Sequence, residues 1–231
     1  MPLHVTAHPL IAHKLTLLRD RNTTHRDFRN LIHEITFFLG FEASRGLPVA
    51  DKAVVTPNNV NAEGKKLSCK IAIIPILRAG LGMADAMSEL IPGASVHHIG
   101  MYRAKTSLLP VQYYNRLPKD TVCDVAYIMD PCIATSNTIH AVVSIVKRWG
   151  AKRIVVISVI GSKDGVDKLL EKHPDIEVYI SAVDSVLSES GMIIPGFGDA
   201  GDRQFGTPVD EIPDLLPEVV TDFSPSKKAK H

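Results

Sequence analysis

Four short runs of branched apolar residues, in the part of the chain that follows residue 69, constrain the fold most strongly. Each run is apolar nearly throughout: KIAIIPIL (70–77), DVAYIMD (124–130), RIVVISVI (153–160) and IEVYISAV (176–183). Strands buried on both faces, as in a parallel sheet, have this composition. Stretches with helical periodicity separate the runs, at 81–91, 137–150 and 163–173. This alternation predicts an α/β fold with a mostly parallel, doubly wound sheet.

The other segments are expected to be appended to this sheet within one domain, residues 1–211. The first 46 residues are predicted to be helical, because apolar residues recur there at helical spacing: Phe28, Leu31, Ile35, Phe38 and Leu39. Pro and Asn interrupt residues 47–66, which are predicted to form an extended arm or loop with one β-prone piece at 53–56. The predicted division is completed by an α/β core at 70–185, a glycine-rich hood at 186–211 and a tail at 212–231.

Composition and charge narrow the classes of function. Lysine and arginine number 26 against 25 aspartates and glutamates, so the net charge of +1 gives no bulk attraction to nucleic acid. The apolar runs are too short to cross a membrane as helices, and the N-terminal residues lack a signal-peptide pattern. Three cysteines without CxxC spacing argue against a disulfide framework and a zinc finger. These features favour a cytoplasmic enzyme that acts on small molecules.

In doubly wound sheets, ligands bind beyond the carboxyl ends of the strands, so the loops after residues 77, 130 and 183 are where chemistry is expected. The first loop, PILRAGLGM (75–83), places Arg78 before two glycines that allow close backbone approach. A guanidinium there is suited to clamp a phosphate through two hydrogen bonds; capping of the sheet edge is the alternative.

The second loop, MDPCIATSNT (129–138), joins Asp130 to a turn that opens a helix near Asn137. Free amides at a helix N-terminus bind anions, and an aspartate beside them accepts hydrogen bonds from sugar hydroxyls. Hydroxyl donors are added by Thr135, Ser136 and Thr138. This pattern favours a phosphate site, and ordinary helix capping is the alternative.

The third loop, IIPGFGDAGDRQFGT (193–207), has glycines at 196, 198, 201 and 206 among Asp199, Asp202 and Arg203. Such glycine density is incompatible with a packed strand or helix. It favours a backbone held close against a flat ligand, with a glycine-rich surface turn as the alternative.

Together these loops make the chain resemble the uracil phosphoribosyltransferase family over roughly residues 5–210. The resemblance is carried by PILRAGLGM (75–83), YRAKTSLLPVQYYNRLP (102–118), DPCIATSNT (130–138) and PGFGDAGDRQFGT (195–207). It implies a type I phosphoribosyltransferase fold. It also implies transfer of phosphoribosyl from 5-phosphoribosyl-1-pyrophosphate, the donor, to N1 of uracil, giving UMP and pyrophosphate.

The resemblance also implies roles for residues. The catalytic residues would be Arg78, Arg103, Asp130 and Asp199, with the two arginines on the pyrophosphate. The donor would be bound by these four together with Pro131, Cys132, Ile133, Ala134, Thr135, Ser136, Asn137 and Thr138. Uracil would be bound by Ile193, Gly198, Asp199 and Ala200. Mg²⁺ would be held mainly through substrate oxygens, so that no dedicated protein metal site is expected. Residues 103–120 would form a mobile cover over the site.

The chain departs from the family pattern in the phosphate loop, where Ser136–Asn137 replaces a glycine pair and Cys132–Ile133 replaces Met–Leu. A non-glycine residue at positive φ costs roughly 1–2 kcal/mol, and Asn tolerates it best. We therefore expect weaker donor binding or turnover than in an enzyme with the glycine loop. The uracil pocket is also altered, with Met192 in place of Tyr and Ser188 in place of Asn.

Three alternatives follow from the same residues. A non-catalytic homologue, acting as a nucleotide sensor or a partner subunit, is motivated by the altered phosphate loop. An RNA-binding regulator is disfavoured by the net charge, and a purine-specific transferase by the GDAGDR stretch. The resemblance further implies a homodimer or homotetramer that associates through the arm, and it makes GTP a candidate effector.

Overall fold

The structure, a computed structural model, describes residues 2–103, 110–119 and 122–207, with Arg103 described by its backbone alone. In chain order the strands are β1 (Leu3–Val5), β2 (Val49–Val55), β3 (Asn61–Leu67), β4 (Ile71–Leu77), β5 (Ser95–Val96), β6 (Ile99–Arg103), β7 (Pro110–Asn115), β8 (Val125–Met129), β9 (Cys132–Ile133), β10 (Arg153–Ser162), β11 (Glu177–Asp184), β12 (Val186–Leu187) and β13 (Ile193–Ile194). The helices are α1 (Pro9–Arg19), α2 (His25–Ala43), α3 (Leu81–Leu90), α4 (Asn137–Trp149), α5 (Lys163–Lys172) and α6 (Ala200–Phe205).

The main sheet runs in the order β1-β11-β10-β8-β4-β6-β7, with β5 beside β4 and β9 beside β10. Every pairing in it is parallel except that of β7, which lies antiparallel to β6. The parallel strands therefore all end at one edge of the sheet. The predicted α/β class is confirmed, and the four apolar runs form β4, β8, β10 and β11.

Alternate side chains of the central strands bury into two cores, one on each face of the sheet. On one face, α1, α2 and α3 cover a core that includes Tyr127 and Ile157. On the other face, α4 and α5 cover a core that includes Ile128 and Val156. Burial on both faces explains why these strands carry no polar alternation.

Residues 3–5 differ from the sequence prediction, whereas the predicted extended arm is present and is more regular than expected. Residues 3–5, predicted as part of a helical segment, form strand β1 along β11, with Leu3 opposite Val178. A three-residue strand is too short to show a period of two, and its partner is far away in the chain. The predicted arm is a complete hairpin, in which β2 and β3 pair antiparallel from Val49↔Leu67 to Val55↔Asn61.

A histidine pair joins α4 to the C-terminal end of α5. Nδ1 of His140 lies 2.7 Å from Nε2 of His173. Burial lowers the pKa of both imidazoles, and the neighbouring cations Lys172 and Lys147 lower the pKa of His140 and His173 respectively. The folded protein therefore holds the pair neutral at a pH where exposed histidines take up protons.

This pair predicts a pH-dependent stability. Because the folded pKa values lie below the ordinary value of 6.5, the unfolded chain binds more protons as the pH falls through 6.5. The stabilisation is fully present above pH 6.5 and is lost progressively below it. We expect Tm to fall between pH 7.5 and 5.5, and less steeply in His173→Gln. The exposed His13→Gln is the control, and equal slopes in all three proteins would contradict the prediction.

Candidate active site

The first candidate residue, Arg78, follows β4 directly, after a cis Leu77–Arg78 peptide. Its side chain is about half exposed, and Nη2 donates to Oδ1 of Asp202 over 2.9 Å. Nη1 lies 3.4 Å from Oγ1 of Thr207, and the guanidinium carbon lies 5.9 Å from the ring centroid of Phe205. The guanidinium is thus steadied by residues 202–207 while one side remains open to a ligand.

Gly80 brings the Arg78 loop against the end of β8. A Cβ atom at this position would lie 2.6 Å from the carbonyl oxygen of Met129 and 2.6 Å from the amide nitrogen of Ile76. These neighbours are backbone atoms, which cannot rotate aside, so the approach requires glycine. Met129 precedes Asp130, and the contact therefore joins the first predicted loop to the second.

The second loop lies along the last residues of strand β10. Its Asp130 amide donates to the Ile157 carbonyl over 3.3 Å, and the amides of Val159 and Ile160 both donate to the Pro131 carbonyl at 3.0 Å. Strand β9 then pairs with Ile160 and Gly161. Backbone hydrogen bonds to β10 thus fix the first half of the loop.

Ser136 ends the second loop in a left-handed conformation, with φ at 64°. It is 5% exposed and serves as the N-cap of α4, and its carbonyl accepts the first helical bond from the amide of His140. Asn137, in contrast, is the first residue of the helix. Of these two residues, which the resemblance aligns with a glycine pair, Ser136 alone has a positive φ and bears the conformational cost.

Two of the helices that begin at this edge, α3 and α4, differ from the others in their caps. Side chains accept from first-turn amides in α1, α2, α5 and α6, through His8, Thr24, Ser162 and Asp199. Within the described residues, the N-caps of α3 and α4, Gly80 and Ser136, make no such side-chain bond. In α3 the amides of Leu81 and Met83 donate instead to the carbonyls of Arg78 and Gly80. Open first-turn amides and the helix dipole favour an anion, so α4 is the helix that directs anion-binding groups to the carboxyl edge.

The left-handed serine predicts the effect of Ser136→Gly. Removing the side chain relieves a cost of roughly 1–2 kcal/mol, which the greater freedom of glycine in the unfolded chain offsets by roughly 0.5–1 kcal/mol. We expect Ser136→Gly to have a higher Tm than the wild type and a several-fold higher kcat/KM for the expected substrate of this loop, the phosphoribosyl donor. Asn137→Gly is the matched control, and in a helix it should lower stability by about 1 kcal/mol or less. A lower Tm for Ser136→Gly would contradict the assignment of the strain to this residue.

The third loop folds as a hood over the same edge. The hood begins before this loop with the β12–β13 hairpin, continues through the cis Ile194–Pro195 peptide and reaches Phe197, whose ring packs edge-on against Phe28 at 5.4 Å. Of the four residues predicted to bind uracil, Ile193 and Ala200 are buried, whereas Gly198, at φ 79°, and Asp199 are exposed. The exposed part of these four residues is therefore the Gly198 backbone together with Asp199.

Asp199 caps α6 by accepting from the Asp202 amide over 2.8 Å. A Cβ atom at Gly201 would lie 3.2 Å from Oδ1 of Asp199 and 3.3 Å from Nη2 of Arg78. The Asp199 carboxylate and the Arg78 guanidinium therefore border the same glycine, which brings two predicted catalytic groups together.

Sequence reasoning missed the residues that hold the hood in place. Arg19 at the end of α1 forms a two-point ion pair with Asp184 at the end of β11, at 2.8 and 2.7 Å. Asp184 also accepts from the Gly196 amide, and Arg19 donates to the Gly196 carbonyl. The sequence feature that could have indicated this pair is the position of Asp184, which directly follows a predicted strand at its carboxyl end.

Gln204 ties the hood to the Arg78 loop. Its Nε2 donates to the carbonyls of Ala79 and Ala200, both at 2.9 Å, and its Oε1 is buried and has no hydrogen-bond partner among the described residues. Arg203 binds the hood to the N-terminal helices through the carbonyls of Leu18 and Phe197. The three loops are thus connected to one another at the carboxyl edge of the sheet.

Arg103 ends β6, next to the Arg78 strand, but its side chain lies outside the described residues, so its predicted role is without a structural account. The predicted cover falls partly outside as well, at 104–109 and 120. Its described part includes strand β7, which pairs with β6 through a bulge at Gly100/Met101.

The described residues contain neither a candidate metal cluster nor a membrane-spanning helix. Residues 2–103, 110–119 and 122–207 hold no group of three or more His, Cys, Asp or Glu side chains that could bind a metal ion. In the same ranges, every helix is too short or too polar to cross a membrane.

Comparisons with known proteins agree with the motif resemblance. Residues 5–207 match the family model described as uracil phosphoribosyltransferase. Uracil phosphoribosyltransferases from Roseiflexus sp. (strain RS-1) and Pediococcus pentosaceus are 43% and 44% identical over 203 residues, 88% of this chain and 97% of each relative. The solved structure of the AQ2163 protein from Aquifex aeolicus is 30% identical with a TM-score of 0.84, covering 90% of this chain and 99% of that one.

Proposed function

Since this chain belongs to the uracil phosphoribosyltransferase family, we propose that the carboxyl edge of its sheet is the site of that family's reaction. The protein transfers the phosphoribosyl group from 5-phosphoribosyl-1-pyrophosphate to uracil, forming UMP and pyrophosphate, a step of pyrimidine salvage. The comparisons lend no support to a non-catalytic homologue. The observation that carries the proposed site is the N-terminus of α4, which has no side-chain cap, at the same edge of the sheet as Arg78.

Arg78 stabilises the departing pyrophosphate. Cleavage of the bond between C1′ and the pyrophosphate oxygen leaves negative charge on pyrophosphate and positive charge on the ribose. A guanidinium fixed beside the leaving group stabilises that charge as it develops. The pairing of Arg78 with Asp202 and its contact with Phe205 orient the guanidinium before the donor binds. Arg103, at the end of the neighbouring strand, is proposed as the second cation on the pyrophosphate.

The loop from residue 130 to 138 binds the ribose 5′-phosphate. The first-turn amides of α4 and the hydroxyls of Thr135 and Thr138 supply donors to the phosphate oxygens. Asp130, at the end of β8, accepts from the ribose hydroxyls. Backbone bonds from Pro131 to β10 hold the loop before the donor arrives, so that little ordering accompanies binding.

The hood binds uracil through its backbone. Uracil presents both donor and acceptor groups on its edge, and backbone amides and carbonyls near Ile193 and Gly198 are suited to match them. The Arg19–Asp184 pair fixes this stretch from behind by holding both backbone groups of Gly196. As N1 of uracil bonds to C1′ and the C1′–O bond to pyrophosphate breaks, the proton of N1 passes to solvent water, and no side chain is proposed to accept it.

The charges at this edge fit Mg²⁺ that arrives with the donor. Mg²⁺ keeps several waters and binds through one or two carboxylates together with substrate phosphates. Asp199 has an exposed carboxylate beside Arg78, and Asp130 follows β8 at the same edge. When bound, Mg²⁺ supplies positive charge to the pyrophosphate oxygens. Asp199 is therefore proposed as a residue that orients the metal-bound donor.

A direct assay tests this function. The purified full-length chain is incubated with labelled uracil, the donor and Mg²⁺, with hypoxanthine and cytosine in parallel reactions. UMP and pyrophosphate should form with uracil alone. Donor binding in calorimetry without any product would instead support a sensor, and product from hypoxanthine would refute the specificity.

The β2–β3 hairpin supports a homodimer or homotetramer. Its apolar side chains include the exposed Val54, Val55 and Leu67, which are 45%, 69% and 46% accessible. Val55 and Leu67 lie on the same face of the hairpin, because Leu67 is opposite Val49 and side chains alternate along a strand. An exposed apolar face of this kind favours a protein–protein contact. Sedimentation analysis of the chain and of a Val54→Lys/Val55→Lys variant tests this assembly.

GTP is proposed as an effector, and adding GTP to the UMP-forming assay tests whether it changes the rate. A cytoplasmic location is proposed from the three cysteines, which cannot all pair.

A further inference from the structure

Ser162, the last residue of β10, is a buried hydroxyl that joins the phosphate loop to α5. Its Oγ donates to the Ala134 carbonyl over 2.6 Å and accepts from the Gly165 amide over 2.9 Å. The residue is 1% exposed. Both hydrogen-bonding functions of the hydroxyl are thus used in one place, where α5 begins and the loop turns.

The first turn of α5 leaves the Ala134 carbonyl little room to move. A Cβ atom at Gly165 would lie 2.0 Å from that carbonyl oxygen and 2.9 Å from Oγ of Ser162. Only glycine permits this approach, and the carbonyl oxygen faces the positive end of the helix dipole. Ser162 and the start of α5 together define the position of Ala134.

Ala134 lies two residues before the left-handed Ser136. A strained backbone conformation persists only where the surrounding structure determines it from several sides. Backbone bonds to β10 hold the loop as far as Ile133, through the pairing of β9. The hydrogen bond from Ser162 to the Ala134 carbonyl fixes the next residue of the loop, just before the strained turn.

We propose that Ser162 is a positioning residue for donor binding. By fixing the Ala134 carbonyl, its hydroxyl keeps Ser136 left-handed and the first amides of α4 directed at the donor's 5′-phosphate. The role compensates for the absence of glycine at position 136. The proposal rests on the proposed function of this loop as the phosphate site.

Steady-state kinetics of Ser162→Ala test the role. The substitution removes both hydrogen bonds of the hydroxyl. Loss of the bond to Ala134 should raise KM for the donor about 5- to 10-fold, with little change in kcat or in KM for uracil. Ser162→Thr keeps the hydroxyl and should restore donor KM. Thr24→Ala, which removes the N-cap of α2, is the matched control because it loses a cap without touching the loop. Equal donor KM in Ser162→Ala and wild type would overturn the proposal.

A double-mutant cycle separates positioning from simple stability. In a Ser136→Gly background the loop adopts positive φ without strain, so Ser162→Ala should raise donor KM much less than in the wild-type background. Additive effects on KM would show that Ser162 acts independently of Ser136 and would overturn the proposal.

Hydrogen exchange of the ligand-free protein tests the same contact without any activity. Amides of residues 132–138 should exchange faster in Ser162→Ala and at the wild-type rate in Thr24→Ala. Unchanged exchange in Ser162→Ala would overturn the positioning role. A wild-type chain that forms no UMP would instead refute the proposed function, and the exchange result would still decide whether Ser162 holds the loop.

Discussion

Arg78→Ala is expected to lower kcat/KM for the donor by about 100- to 1000-fold, the effect of removing one preorganised group that stabilises a developing anion. Arg78 lies directly after β4, half exposed and oriented by Asp202 and Phe205. Because it contacts the leaving pyrophosphate in our proposal, the loss should appear in kcat as well as in KM. Arg78→Lys keeps the charge without the two-pronged geometry and should fall between the alanine variant and wild type.

Arg78→Ala should change the free energy of unfolding little, so the loss of activity cannot be attributed to unfolding. The Arg78–Asp202 pair is solvent-exposed on the arginine side, and such pairs contribute about 0–1 kcal/mol. Arg148→Ala is the matched control, since this exposed arginine lies in the last turn of α4, at the opposite end from the phosphate loop. An Arg78→Ala enzyme with kcat/KM within threefold of Arg148→Ala would remove Arg78 from the proposed mechanism (the threefold margin is about 0.7 kcal/mol).

Gly80→Ala is expected to impair both activity and folding. The new Cβ would lie 2.6 Å from Met129 O and Ile76 N, and 2.8 Å from Ile76 O. Since these are backbone atoms, the Arg78 loop must move away from the end of β8. Overpacking of this kind costs about 1–3 kcal/mol, and displacement of catalytic groups by about 1 Å can lower the rate about 100-fold.

Thermal unfolding and kcat/KM measured on the same preparations check this expectation. Gly93→Ala is the matched control, because a Cβ atom at Gly93 meets nothing within 4 Å. We expect a Tm several degrees lower for Gly80→Ala alone, and a loss of activity that persists well below its Tm. Wild-type activity in Gly80→Ala would show that the contact between the Arg78 loop and β8 does not position the site.

Local pattern accounts for the central sheet and for the loops in which the site lies. Runs such as IAIIPIL at 71–77 are apolar because both faces of β4 are buried, so composition alone reveals the parallel strands. Parallel strands end at one edge, which places Arg78 and Asp130 together before any coordinates are known. The family resemblance, carried by long motifs in order, is confirmed by the comparisons. The individual residue roles and the domain division remain predictions.

Several supports of the site left no local pattern. Arg19 and Asp184 are 165 positions apart, and nothing in the sequence near either one indicates the other. From the sequence, Ser162 is expected only to be an ordinary N-cap of α5. Its second hydrogen bond, to the Ala134 carbonyl, forms because β10 extends past the end of β8. Strand β1 is likewise defined by β11 and not by its own three residues.

The sequence by itself determined the α/β architecture and the three loops, because the apolar runs and the turn residues are local features of the chain. Only the tertiary structure decided that Ser136, and not Asn137, takes the left-handed conformation. The reason is physical. The φ angle at 136 is set by where β10 and α5 hold the preceding loop and where α4 must begin, and those constraints act between segments distant in the chain.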